Sequence, residues 1–223
     1  MTSTTAINQT ILPNTISNLM TFKKVSKGSF LYFPNDKLRH IFYLKKGSIK
    51  TGAYSDEGKE IITAIIKQHE ILGEMGLVGQ TQHKEYAQTI EDCEIGIINL
   101  SVASKLMYTS HYFNNLITLM LGKKLINTQR RLESLVFEDV PTRIINFLCE
   151  LAHEKGIAIG FEILVANALT HQEIANIVGT SRQTVTTVLN KLRQQNLIYF
   201  NRKKLLIRNL QQLEQSVQFR RSA

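Results

Sequence analysis

The chain has 223 residues, 43% of them hydrophobic and 20% charged, with a formal net charge of +9. That is the length of one or two domains with ample apolar material for a core, which excludes a disordered tail protein. No apolar run approaches the ~18–20 residues of a membrane span. Met1–Gln9 has neither the basic start nor the apolar stretch of a secretory signal, so the chain is expected to stay in the cytoplasm.

The two cysteines, Cys93 and Cys149, stand far apart and form no Cys-x-x-Cys. A disulfide framework, a structural zinc and an iron–sulfur cluster are therefore unsupported, and both are expected to be buried thiols. The positive charge is unevenly spread. Residues 139–223 hold 11 basic and 6 acidic groups, +5 of the +9, and after Ser181 nine basic residues face the single acid Glu214. A basic C-terminal end suits a polyanionic partner.

In chain order, a short helix is predicted near Asn14–Met20. Phe30, Tyr32, Ile41, Tyr43, Ile49, Thr51, Ile61, Thr63, Ile65, Ile95 and Ile97 then fall in short runs of β-branched and aromatic residues. Turn residues separate them at Lys27-Gly28, Pro34-Asn35-Asp36, Lys46-Gly47, Asp56-Glu57-Gly58 and Gly73 through Gly79. Strands at this spacing predict an all-β sandwich or barrel. From Ser101 the period changes, predicting a helix over Val102–Tyr108 and a longer one over Tyr112–Phe137. Within the second, Leu121, Leu125, Thr128, Leu132 and Leu135 are spaced 4, 3, 4, 3, as on a coiled-coil seam. Such a stripe packs either on its own domain or against its twin in a second chain.

Glu138-Asp139-Val140-Pro141 is a break, with Pro141 placed to open the next helix. Ile144, Leu148 and Leu151 face inward. Lys155-Gly156 closes the helix, the glycine expected in the left-handed conformation, and Ile157–Val165 reads as strand or loop. Thr170 and Glu173 form a capping box that starts a helix at His171, with Ile174, Ala175 and Val178 as its buried face. Gly179 permits a sharp turn, and Ser181 caps a second helix from Arg182 to about Gln195. Its apolar face is Val185, Val188, Leu189 and Leu192. Helix, glycine turn and helix make a helix-turn-helix.

The exposed face of the second helix carries the chemistry. Arg182, Gln183, Thr186 and Thr187 lie near its N-terminus, where helix-turn-helix side chains reach base edges in the major groove. Arg182 has two parallel donors for guanine O6 and N7, and Gln183 matches adenine N6 and N7. Ser181, Thr184, Thr170 and Gln172 sit near helix N-termini, where they cap the helix, contact phosphate, or do both. Leu197–Phe200, the turn Asn201-Arg202-Lys203 and Leu205–Ile207 then read as a β-hairpin wing. Arg202 and Lys203 at its tip suit phosphate contact, which would be salt-dependent.

Two other functional classes compete with this reading. A cupin-like metalloenzyme needs clustered histidines. His40, His69, His83, His111, His153 and His171 are scattered with no His-x-His and are expected as surface or capping residues. No metal site and no nucleophile elbow are read, so no enzyme is expected. A ligand-binding signalling module that acts on a protein partner is the alternative, and the helix-turn-helix argues against it.

The whole arrangement resembles the CRP/FNR family of bacterial transcription regulators over about residues 15–210. The likeness rests on Thr170-His171-Gln172-Glu173-Ile174, Gly179-Thr180-Ser181-Arg182-Gln183-Thr184-Val185, Phe42-Tyr43-Leu44-Lys45-Lys46-Gly47-Ser48-Ile49 and Ile71-Leu72-Gly73-Glu74-Met75-Gly76-Leu77. Phe137-Glu138-Asp139-Val140 looks like the family's hinge. The resemblance implies an α+β chain. Residues 1–110 would form a β-roll effector domain of jelly-roll type, 111–138 a dimerisation helix and hinge, and 139–223 a winged helix-turn-helix. It implies a homodimer reading a two-fold symmetric site on double-stranded DNA, with RNA polymerase as a further partner.

By position, Arg182 matches the family's guanine-contacting arginine. Gln183 stands where cyclic-AMP-responding members have Glu, and Thr187 where they have Arg, so the family's best-known half-site does not transfer. Gly73 and Glu74 match the segment that holds the ribose of a cyclic nucleotide, and Thr128 matches a threonine that meets the adenine. The phosphate segment falls at Lys84-Glu85-Tyr86, where Glu85 would set a carboxylate beside a phosphate. The resemblance therefore leaves a small-molecule effector open and weighs against cyclic AMP, with a cAMP-responsive protein as the alternative.

Overall fold

The computed structural model describes residues 12–166, 169–201 and 204–221, with side chains up to 217. The described residues fall into two compact units that divide between Asn127 and Thr128.

The first unit opens with α1 (Asn14–Ser17), shorter than the predicted helix. It continues with β1 (Thr21–Val25), β2 (Phe30–Tyr32), β3 (His40–Lys46), β4 (Ile49–Tyr54), β5 (Glu60–Ile66), β6 (Ile71–Leu72), a 3₁₀ turn (Glu74–Val78), β7 (Tyr86–Thr89), β8 (Cys93–Asn99) and α2 (Leu100–Thr109). The long α3 (His111–Phe137) follows and crosses the division. The strands form two antiparallel four-stranded sheets, ordered β1-β8-β3-β6 and β2-β7-β4-β5. This is the sandwich that the spacing of apolar runs predicts.

Alternation along β3 divides the unit's interior into two cores. Phe42 and Leu44 join Ile49, Ile66, Leu72, Ala87 and Ile95 in one. Ile41 and Tyr43 turn the other way, to Ile16, Ala103, Phe113, Leu116 and Ile117 of the helices. The first turns of α3 are thus core. Further along, Lys123 reaches Glu70 and Lys124 reaches Glu74, at 2.7 and 2.5 Å.

The second unit holds the end of α3, then α4 (Val140–Lys155), β9 (Gly156–Ile159), β10 (Glu162–Ala166), α5 (His171–Val178), α6 (Arg182–Gln194), β11 (Ile198–Phe200), β12 (Lys204–Ile207) and α7 (Leu210–Arg221). Asp139 caps α4 by accepting from Thr142 N, with Pro141 in the first turn. The sheet order is β11-β12-β10-β9, all antiparallel. One core joins Ile144 and Leu148 of α4, Ile174 and Ala175 of α5, Val185, Leu189 and Leu192 of α6, Leu205 and Ile207 of β12, and Leu213 and Val217 of α7.

Two expectations are corrected. Gly156 is not left-handed. Its φ of −73° and ψ of 136° are extended, and the residue begins β9 directly. Space is what demands glycine there, because a Cβ would lie 2.2 Å from the Ala152 carbonyl oxygen and 2.3 Å from Ile163 Cγ2. His83 is neither a surface nor a capping residue, because it is buried with its ring stacked on Tyr32. Both cysteines are buried thiols, as composition suggests.

Candidate nucleic-acid interface

Local chemistry sets the start of each helix. Thr170 Oγ1 accepts from Glu173 N while Glu173 Oε2 accepts from Thr170 N, the reciprocal capping box that fixes α5 at His171. Gly179 then adopts φ 74°, the left-handed conformation that reverses the chain within one residue. Ser181 Oγ accepts from Thr184 N at 3.0 Å and starts α6. The α5 and α6 caps fall at the predicted positions because each depends on side chains within three residues of the helix end.

One face of α6 is core and the other is open. Val185, Val188, Leu189 and Leu192 are buried, whereas Arg182, Gln183, Thr187 and Asn190 are exposed. Neither the Arg182 guanidinium nor the Gln183 amide holds a hydrogen bond or ion pair among the described residues, so their full donor and acceptor sets face solvent. Thr186 and Thr187 differ. Their hydroxyls donate back to the carbonyls of Arg182 and Gln183, at 2.9 and 3.1 Å. What they present outward is a lone pair and a methyl group, not a donor. Thr184 shares its hydroxyl with Ser181 at 2.8 Å, and exposed Gln172 donates to Asn176 Oδ1 at 2.8 Å.

One residue at this surface escaped the sequence reading. His171 Nδ1 meets Thr186 Oγ1 at 2.8 Å, tying the first residue of α5 to the open face of α6. Burial, and next the Arg182 guanidinium, hold the His171 pKa below the usual imidazole value. No local signal in the sequence marks this pair, which arises from the angle between the two helices.

The wing is a β11–β12 hairpin in which Asn201 Oδ1 accepts from Lys204 N. Arg202 and Lys203, the predicted wing-tip cations, lie outside the described residues.

Gly73 is left-handed and opens the 3₁₀ turn, and Glu74 is buried against Lys124. Glu85 accepts from Thr63 Oγ1 at 2.6 Å, and Lys84 is exposed. Thr128 is exposed on α3 in the second unit. Of the seam residues, Leu121 packs on the helix-side core of the first unit, while Leu125, Leu132 and Leu135 are 61%, 63% and 44% exposed. Ile126 and Val136 are exposed beside them. Among the described residues no group of three or more histidine, cysteine or acidic side chains is placed to hold a metal ion. No helix there is long and apolar enough to cross a membrane.

Comparison with known proteins agrees with this geometry. Residues 142–216 match the family of Crp-like helix-turn-helix domains, and residues 22–110 match the cyclic nucleotide-binding domain. The cAMP-activated global transcriptional regulator CRP of Haemophilus influenzae is 31% identical over 175 residues, covering 75% of each chain. The global nitrogen regulator of Synechococcus elongatus is 26% identical over 189 residues, covering 84% of this chain and 85% of its own. Among solved structures, CooA of Carboxydothermus hydrogenoformans superposes with a TM-score of 0.76 at 25% identity, covering 91% of this chain and 90% of its own. The c-di-GMP-responsive regulator CLP of Xanthomonas campestris gives 0.78 at 24% identity, covering 86% and 96%.

Proposed function

The chain belongs to the CRP/FNR family of transcription regulators, and from that premise we propose that it acts as a homodimer whose two α6 helices enter successive major grooves of a two-fold symmetric DNA site. The observation that carries this reading is the unbonded Arg182–Gln183 pair at the exposed N-terminus of α6, on a helix whose opposite face is core. Arg182 reads guanine and Gln183 adenine, while the Thr186 and Thr187 methyl groups suit thymine. Ser181, Thr184, Thr170 and Gln172, with Arg202 and Lys203 of the wing, contact phosphate and set the register.

Leu125, Leu132 and Leu135 are the natural seam between two copies of α3. A single chain leaves them in water, and the 4-3 spacing continues through them. In this reading residues 1–110 form the effector domain, 111–138 the dimerisation helix and hinge, and 139–223 the DNA-binding domain, with RNA polymerase as the downstream partner. An effector in the β-roll acts by binding one arrangement of the dimer better than another. In this reading the effector is not cyclic AMP. By the resemblance, Glu85 falls where cyclic-AMP-responding members have the phosphate-holding serine; here its carboxylate accepts from Thr63 Oγ1, and Glu74, on the ribose side by the same resemblance, is paired with Lys124.

Selecting bound duplexes from random DNA, with sedimentation of the protein alone, tests the reading. An enriched two-fold symmetric site containing a guanine in each half, and a dimeric mass, are the expected results. Recovery of no sequence above salt-sensitive background overturns it. Cyclic AMP is expected to leave the melting temperature unchanged, and a saturable rise would reinstate it as the effector.

A further inference from the structure

A cleft of about 310 Å³ opens in the first unit, lined by Leu31, Tyr32, Asp36, Lys37, Arg39, His40, Phe42 and His83. None of these residues belongs to the effector positions considered above. The His83 imidazole stacks on the Tyr32 ring with centroids 3.5 Å apart, and each residue is only 6% exposed. Neither the phenol nor the imidazole has a hydrogen-bonding partner among the described residues. No buried side-chain nitrogen or oxygen there is both sealed from solvent and unbonded. The polar atoms of Tyr32 and His83 are therefore not sealed, and both residues line the cleft.

The charges at the mouth are equally uncommitted. Lys37 and Arg39 are exposed and hold no ion pair among the described residues. The single carboxylate of the lining, Asp36, is engaged locally by accepting from Phe33 N at 2.8 Å. Burial raises the Tyr32 pKa, with Glu85 and Glu74 adding to it. Burial lowers that of His83, with Asp36 and Glu74 opposing. At neutral pH the phenol is thus a donor and the imidazole uncharged. The fixed charges on the lining sum to +1. The lining is mixed: Leu31, Phe42 and the Tyr32–His83 stack supply apolar and aromatic faces among polar and charged groups.

The geometry points to this cleft as a binding site for a small aromatic anion, its ring against Phe42, Leu31 and the Tyr32–His83 stack and its carboxylate or phosphate held by Arg39 and Lys37. The Tyr32 hydroxyl supplies a neutral hydrogen bond to the same molecule. Arg39 gives the anion a two-pronged partner and Lys37 a point charge.

Calorimetric titration of the full chain with benzoate, phenyl phosphate and neutral benzamide tests this. At least one anion is expected to bind saturably, one per chain, and the stronger of the two identifies carboxylate or phosphate as the group recognised. Benzamide is expected to bind about tenfold more weakly, the scale of one charge-assisted hydrogen bond. Arg39→Gln is expected to weaken the anion about tenfold with little effect on benzamide. Tyr32→Phe, which keeps the stacked ring, is expected to weaken all the ligands that bind. Lys105→Gln on α2, an exposed lysine outside the lining, is expected to change nothing. The inference is overturned if neither anion saturates in the millimolar range, or if Arg39→Gln leaves the anion's affinity intact. Should Tyr32→Phe unfold the chain, exposed Arg39 still decides the question. The titration contains no DNA, so its outcome is independent of the operator reading.

Discussion

Replacing Arg182 by alanine separates base reading from every other use of that side chain. Arg182 is exposed and unbonded, so its removal costs the fold nothing through lost contacts. It is the first residue of α6, where a cation opposes the helix dipole. Its loss should therefore stabilise the helix end by about 0.3–1 kcal/mol, and alanine has the better helix propensity. The melting temperature should hold or rise slightly. Binding should behave differently. A bidentate arginine–guanine pair discriminates by about 1–3 kcal/mol, so a dimer with two such pairs loses roughly 2–6 kcal/mol on its best site. At tenfold per 1.4 kcal/mol this is roughly 30-fold to 10⁴-fold. Fluorescence anisotropy on the selected site, and on duplexes changed at the guanine, gives the answer. The variant should bind both duplexes alike, with the slope of log affinity against log salt unchanged, because no phosphate contact is lost. Retained discrimination at every position, or a uniform loss with a shallower salt slope, refutes base reading by Arg182. The same variant removes the guanidinium that helps depress His171, so the His171 titration followed by NMR should move up.

Three further outcomes are expected. Leu132→Asp, at a position 63% exposed in the single chain, should convert the dimer to a monomer by sedimentation, and a persistent dimer would move the interface off α3. Gly156→Ala drives a Cβ to 2.2 Å from a main-chain oxygen and should lower stability in urea by about 1–3 kcal/mol, the usual cost of overpacking. A change below about half of one kcal/mol would show that the turn relaxes freely. Burial, with Glu214 and Glu150 adding to it, pushes the Cys149 thiol up to about 12, and burial raises Cys93. Neither should react with a thiol reagent at pH 8 in the folded chain, both should react in urea, and fast labelling of the native protein would contradict their burial.

Much of the helix-turn-helix was legible because its signals are local. The Thr170–Glu173 box, the Ser181 cap and the left-handed Gly179 each depend on neighbours within a turn. The apolar period of α6 needs no partner to be read. Other features were hidden for equally physical reasons. β1 reads Thr-Phe-Lys-Lys-Val at a sheet edge with most of its side chains in water, so no apolar alternation announces it. α7 is polar almost throughout, and of its described side chains only Leu213 and Val217 are buried. The helix end at Gly156 carries the same letters as a left-handed cap, and only the packing of Ile163 against it shows that the need is for space. His83 is buried by Tyr32, 51 positions earlier, a pairing that no sequence window contains. The exposed polar face of α6 was legible in the apolar period of the helix, but the inward donation of the Thr186 and Thr187 hydroxyls was not.

The end of α5 is gripped in an unusual way. The carbonyls of Ile177 and Val178, in its last turn, receive Arg131 from α3 at 2.6 Å and Arg143 from α4 at 3.3 Å. Both guanidiniums meet the negative end of a helix whose terminal oxygens have no partners of their own. Every residue type at 177 and 178 offers the same oxygen, so the joint makes no demand of its own on those side chains; Val178 is constrained instead by the core. The two arginines have no such latitude, since lysine would replace each fork with a single point. A change of side chain at Ile177 would therefore leave the joint of α3 and α4 with the end of α5 as it is.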